Sequence, residues 1–96
     1  MFKTIADVRY ANQQLGHHWF DRSSMRFFNT TIESSLYGGR FFITSERMDP
    51  RHPKKYTVRE ALPTGEIKTV GEFHRMTSIE DARDAARNLA RDGVLA

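Results

Sequence analysis

The chain contains no cysteine, which excludes a disulfide framework and any zinc site built on thiolates, and leaves nothing that needs an oxidising compartment. Proline and glycine are sparse, three and six in ninety-six residues, enough to punctuate turns but too few for a flexible linker or a low-complexity tail. No apolar run approaches the ~20 residues of a membrane-spanning helix. The opening Met1-Phe2-Lys3-Thr4-Ile5-Ala6-Asp7 is too polar for a secretory signal. These absences point to a soluble protein of the cytoplasm. Charge of one sign is also scarce: the formal net charge is +3, which permits a polyanionic partner without demanding one.

What is present is concentrated. Apolar residues make up 39% of the chain, with seven Phe, three Tyr and one Trp, so a few large side chains must fill one small core. The length suits a single domain over residues 1–96. The basic excess is central: residues 22–75 carry ten basic and six acidic groups, whereas the two terminal segments together carry five and six.

The stretch Leu36-Tyr37-Gly38-Gly39-Arg40-Phe41-Phe42-Ile43-Thr44-Ser45-Glu46-Arg47 organises the rest. A glycine pair between two β-prone runs predicts a hairpin turn with positive φ, flanked by strands over 27–37 and 40–47. An anion cradle at Gly38-Gly39-Arg40 is conceivable, but a turn explains the glycines better. Tyr56, Val58, Glu60 and Leu62 alternate with Thr57, Arg59 and Ala61 and mark a third strand. Pro63-Thr64-Gly65 turns the chain into a fourth over 66 to 73 or 74, in which Gly71 suggests a bulge.

Helices are expected at both ends. Thr4 with Asp7 has capping-box spacing ahead of Ile5, Val8, Ala11 or Asn12 and Leu15, closed by Gly16. Thr77 with Glu80, or Ser78 with Asp81, can cap a second helix whose stripe is Ile79, Ala82, Ala86 and Leu89 and whose end is Gly93. Between the first helix and the first strand, His17-His18-Trp19-Phe20-Asp21 reads as an aromatic corner and Asp21-Arg22-Ser23-Ser24 as a turn or short helix. The fold class is therefore α+β, a four-stranded antiparallel meander in the order α-β-β-β-β-α, with both helices expected on one face and the other face partly open.

The chemistry-bearing residues point to binding. His17, His18 and Asp21 have no third nitrogen or sulfur ligand at a recognisable spacing, so no metal and no cofactor is expected. No serine sits in a nucleophile elbow and no acidic pair forms a catalytic motif, so no catalytic residue is assigned and the chain is not expected to be an enzyme. Arg83, Arg87 and Arg91 form a helical stripe in which Glu80 and Asp84 can neutralise the first two, leaving Arg91 free. The loop Met48-Asp49-Pro50-Arg51-His52-Pro53-Lys54 cannot extend a ladder and should be exposed. Its Arg51, His52 and Lys54, with Lys55, and with Arg40 and Arg59 on the neighbouring strands, are the candidate binding residues. Basic and aromatic residues also interleave in Arg40-Phe41-Phe42, in Lys55-Tyr56-Thr57-Val58-Arg59 and at Lys68, which leaves a small RNA- or DNA-binding module as the alternative to a protein partner.

His17-His18-Trp19-Phe20, Met25-Arg26-Phe27-Phe28, the segment from Leu36 to Glu46, Tyr56-Thr57-Val58-Arg59 and Thr69-Val70-Gly71-Glu72-Phe73 together resemble a family of short uncharacterised proteins carried by bacteriophages and other mobile elements, over most of the chain from Ile5 to Ala90. The resemblance transfers a setting and no catalytic residue. It implies a viral accessory protein acting in the bacterial cytoplasm by binding a host or phage protein, as inhibitors of host defence such as anti-CRISPR proteins do, or by binding nucleic acid.

Overall fold

The computed structural model describes residues 2–16, 30–47, 51–71 and 76–93. Helix α1 spans Ile5–Gln14, strands β1 to β4 span Thr31–Ile32, Phe41–Glu46, Lys55–Ala61 and Ile67–Val70, and helix α2 spans Ile79–Asp92. The strands form one antiparallel sheet in the order β1-β2-β3-β4. This is the expected α+β meander. The aromatic corner at His17 to Asp21, the turn beyond it and the start of the first predicted strand lie outside the described residues, as do Met48 to Pro50 and the predicted end of the fourth strand past Gly71.

Local chemistry explains each boundary. The Thr4 side chain accepts from the Asp7 N–H, and the Asp7 carboxylate accepts from the Thr4 N–H. Ser78, rather than Thr77, caps α2 by accepting from the Glu80 N–H, and Gly93 ends the helix at φ 72°. At the hairpin tip Gly38 and Gly39 have φ of 60° and 69°, and the Arg40 and Phe41 N–H groups both donate to the Tyr37 carbonyl at 3.1 and 3.0 Å. Paired positive φ values are those of a type I′ turn. The predicted long strand before it is broken, because Thr31 and Ile32 pair with Ser45 and Thr44 while Tyr37 pairs with Phe41, so two extra residues lie between those contacts. On β3, Val58 pairs with Val70 and Tyr56 with Met76, and Gly71 between them has φ 74°.

One expectation is overturned: the helices cover opposite faces of the sheet. Phe41, Ile43 and Val58 form one core with Ala82, Ala85, Ala86 and Leu89 of α2. Phe42 and Ala61 form a second with Val8 of α1, edged by Phe2, Ile5, Ile32, Leu36 and Ile67. Successive strand residues point to opposite faces, so adjacent Phe41 and Phe42 enter different cores, and every residue of β2 is buried. Ala85 and Ala86 keep α2 close to the strands.

The hairpin tip rests on that helix: a Cβ on Gly38 would stand 2.8 Å from the Ala90 Cβ. The positive φ of Gly39 is expected to cost Gly39→Val about 1–2 kcal/mol, and Gly38→Val carries a further cost, since the helix must also give way. Thermal melts of both variants check this, and an unchanged melting temperature in both removes the turn assignment.

Candidate functional site

The end of the sheet where β2 finishes and β3 begins carries a groove of about 230 Å³ on the α2 face. Strand register builds its floor: Thr31 stands opposite Ser45, and Ser45 opposite Tyr56, which sets three hydroxyl-bearing side chains in a row across three strands. Lys54 precedes β3 and shares the face of Tyr56 by alternation. Ile79, in the first turn of α2, and Arg83, one turn on, form the far wall with Glu33.

Glu33 is held by its own backbone, whose N–H donates to the Ile43 carbonyl at 2.9 Å. Its Oε1 accepts from Arg83 Nε at 2.8 Å and pairs with Nη2 at 2.7 Å. Its Oε2 is buried and has no hydrogen-bond donor among the described residues. The hydrogen bond to Glu33 and the charge behind it raise the Arg83 pKa above its ordinary value, so the guanidinium stays charged throughout the working range. Lys54 is exposed and makes no ion pair among the described residues. Two cations face one carboxylate here. The groove can take an anionic group on Lys54.

The six sequence-predicted binding residues do not form one patch. Arg51, His52, Lys54 and Lys55 are exposed in and just after the loop. Lys55 opens β3 opposite Glu46, on the face away from the groove. Arg59 is on that face too and is buried: Nε donates to Thr44 Oγ1 at 3.1 Å, Nη1 to Thr69 Oγ1 at 2.6 Å, and Nη2 to Glu46 Oε1 at 3.0 Å. Thr44 and Thr57 also donate to the Glu46 carboxylate, at 2.7 and 3.3 Å. This corrects the placement of Arg59 on an exposed surface: its charge is spent inside the fold.

Arg40 lies at the other end of the sheet, about 16 Å away along five residue steps of strand. Its guanidinium sits 4.9 Å from the Phe41 ring centre and is ion-paired with Glu60, which Lys68 also approaches at 3.5 Å. Burial pushes the Glu60 carboxyl upward, but the hydrogen bond and charge of Arg40, with Lys68 behind them, outweigh it and leave the pKa below its ordinary value. A carboxyl depressed by folding stabilises the native state above its unfolded pKa, about 4.3, and that contribution is lost as pH falls through the folded value. Urea denaturation from pH 5 downward is therefore expected to show the wild-type advantage over Glu60→Gln shrinking below about pH 4.3. A gap that stays constant to pH 2.5 would contradict it.

Sequence reasoning missed Glu33, Arg83, Thr31, Ser45 and Tyr56 as site residues. Arg83 has Glu80 three residues earlier as a local decoy, whereas its partner Glu33 is fifty residues away. Arg87 does pair with Asp84 as expected, but Arg91 is engaged by Asp92 and Asn88. Among the described residues no helix is long and apolar enough to cross a membrane. The profile of a family of unknown function, DUF7447, matches residues 4–87. No curated protein matches the chain, and no solved structure does.

Proposed function

The chain belongs to that family of unknown function, and we propose that it works as a small non-catalytic binding protein that docks an acidic surface of a partner protein onto the groove and the adjoining loop over residues 51–55. The observation that carries this reading is Lys54, which lines the groove exposed and with no ion pair among the described residues. Loops held on rigid strands carry recognition well, and the loop ends here on the buried β2–β3 pair. The resemblance to short phage and mobile-element proteins supplies the setting: an accessory protein in the bacterial cytoplasm that inhibits a host protein, a defence factor of the anti-CRISPR-target kind.

A nucleic-acid partner is the second reading. The burial of Phe41 and Phe42, 3% and 0% exposed, favours a protein, because these two rings are not available to stack on bases. Pull-down from bacterial lysate with and without nuclease, at low and high salt, separates the two readings, since phosphate-dominated binding falls steeply with salt. Reversing Arg51, Lys54 and Lys55 together is expected to weaken capture by about tenfold or more, equivalent to ~1.4 kcal/mol over three charges. Exposed positions should leave the fold intact. Arg87 and Arg91 reversed together serve as the control, because Arg83 lines the groove itself. Loss of binding in the control with full binding in the loop variant would move the interface elsewhere.

A further inference from the structure

A second recess, independent of the groove, lies at the hairpin end of the sheet. It measures about 500 Å³ and is walled by Phe2, Gly39, Arg40, Leu62 and Pro63, with the end of β3 as its floor. That volume is in the range of small-molecule sites, which are mostly apolar with a few convergent polar groups.

Three backbone amides around it are already bonded. The Phe2 N–H donates to the Gly39 carbonyl at 3.1 Å, the Ala61 N–H to the Arg40 carbonyl at 2.7 Å, and the Leu62 N–H to the Glu66 carbonyl at 2.8 Å. These amides are spent, so recognition falls to the apolar wall and to Arg40. Nε and Nη2 of Arg40 both bond the same Glu60 oxygen, while Nη1 makes no hydrogen bond among the described residues. The Arg40 side chain is 50% exposed. With Lys68 on the other Glu60 oxygen, the cluster holds two cations against one carboxylate and retains one positive charge.

We propose that this cleft binds a small amphipathic carboxylate, its apolar body against Phe2, Leu62 and Pro63 and its carboxylate on Nη1 of Arg40. An apolar wall rewards burial of a chain or ring, and a charged bond to a fixed guanidinium selects the acid over its neutral analogue. Glu60 holds the guanidinium in place and screens part of its charge, which favours one anionic group over a polyanion.

The test titrates ¹⁵N-labelled protein with octanoate and separately with octan-1-ol, following amide shifts. Octanoate is expected to bind saturably and to shift Gly39, Ala61 and Leu62, with octanol about tenfold weaker or worse. Arg40→Gln should lose about tenfold in octanoate affinity. Leu62→Glu keeps the Arg40–Glu60 pair and changes a residue outside both cores, and it should lose at least as much. The proposal is overturned if octanol binds as tightly as octanoate, if octanoate leaves the amides of the cleft unmoved, or if the Leu62→Glu protein binds octanoate like the wild type.

Discussion

Replacing Arg59 with alanine is expected to lower stability by about 3–5 kcal/mol, the range for removing one partner of a buried ion pair. The guanidinium is shared by Thr44, Thr69 and Glu46, and Glu46 is 3% exposed. Truncating Arg59 would leave that carboxylate buried beside Thr44 and Thr57 without the Arg59 guanidinium. Keeping a buried carboxylate after one of its charged hydrogen-bond partners is removed is costly. Replacing both partners by apolar groups, Arg59→Met with Glu46→Leu, removes the stranded charge and should recover most of the loss. Equilibrium urea denaturation of the single and double variants measures this. A loss below about 1 kcal/mol for Arg59→Ala would show that the pair behaves like a surface one. An Arg59 variant that loses partner binding would, on this structure, be reporting on folding.

The second large effect is expected at a glycine. Gly65→Ala should destabilise by about 3 kcal/mol, combining an unfavourable φ with overpacking. Gly65 has φ 98°, and a Cβ there would stand 2.6 Å from the Ala11 carbonyl oxygen and 2.7 Å from its carbon. Those are backbone atoms of α1, so no side chain can swing aside. The Gly65 carbonyl also accepts from Asn12 Nδ2 at 2.9 Å inside the fold, and pushing the turn away from the helix stretches that bond. Gly16 is the comparison: its φ is 80° but a Cβ would meet nothing within 4 Å among the described residues, so Gly16→Ala should show only the conformational part, about 1–2 kcal/mol. Equal losses at the two positions in thermal or urea unfolding would mean that α1 does not rest on the 63–66 turn.

These two cases mark where sequence reading stops. Gly65 is recognisable as a turn residue because Pro63-Thr64-Gly65 carries turn chemistry locally. Its contact with α1 joins residues 11 and 65, and nothing near either announces it. Arg59 alternates correctly onto the face of Thr57 and Ala61, yet alternation assigns a face without saying whether that face is wet. The Phe41-Phe42-Ile43 run held the missing hint: an uninterrupted apolar run suits a strand buried on both sides, and a strand with one open face would have alternated more cleanly.

By itself the sequence determined the elements and their order. The Thr4–Asp7 capping box, the Gly38-Gly39 turn, the β3 alternation and the Ile79 to Leu89 stripe each act over a few residues, through backbone hydrogen bonds, allowed φ and side-chain period. Sequential antiparallel strands joined by short turns then make a meander the simplest outcome. The tertiary structure alone decided that α1 and α2 take opposite faces, that Arg59 is neutralised indoors by Glu46 and Arg83 by Glu33, and that Arg40 is separated from Lys54 by the length of β2. Each of these depends on strand register and helix docking, which place residues tens of positions apart within hydrogen-bond distance. Burial and ion pairing are set by that three-dimensional neighbourhood, whereas local periodicity records only which way a side chain leaves its own backbone.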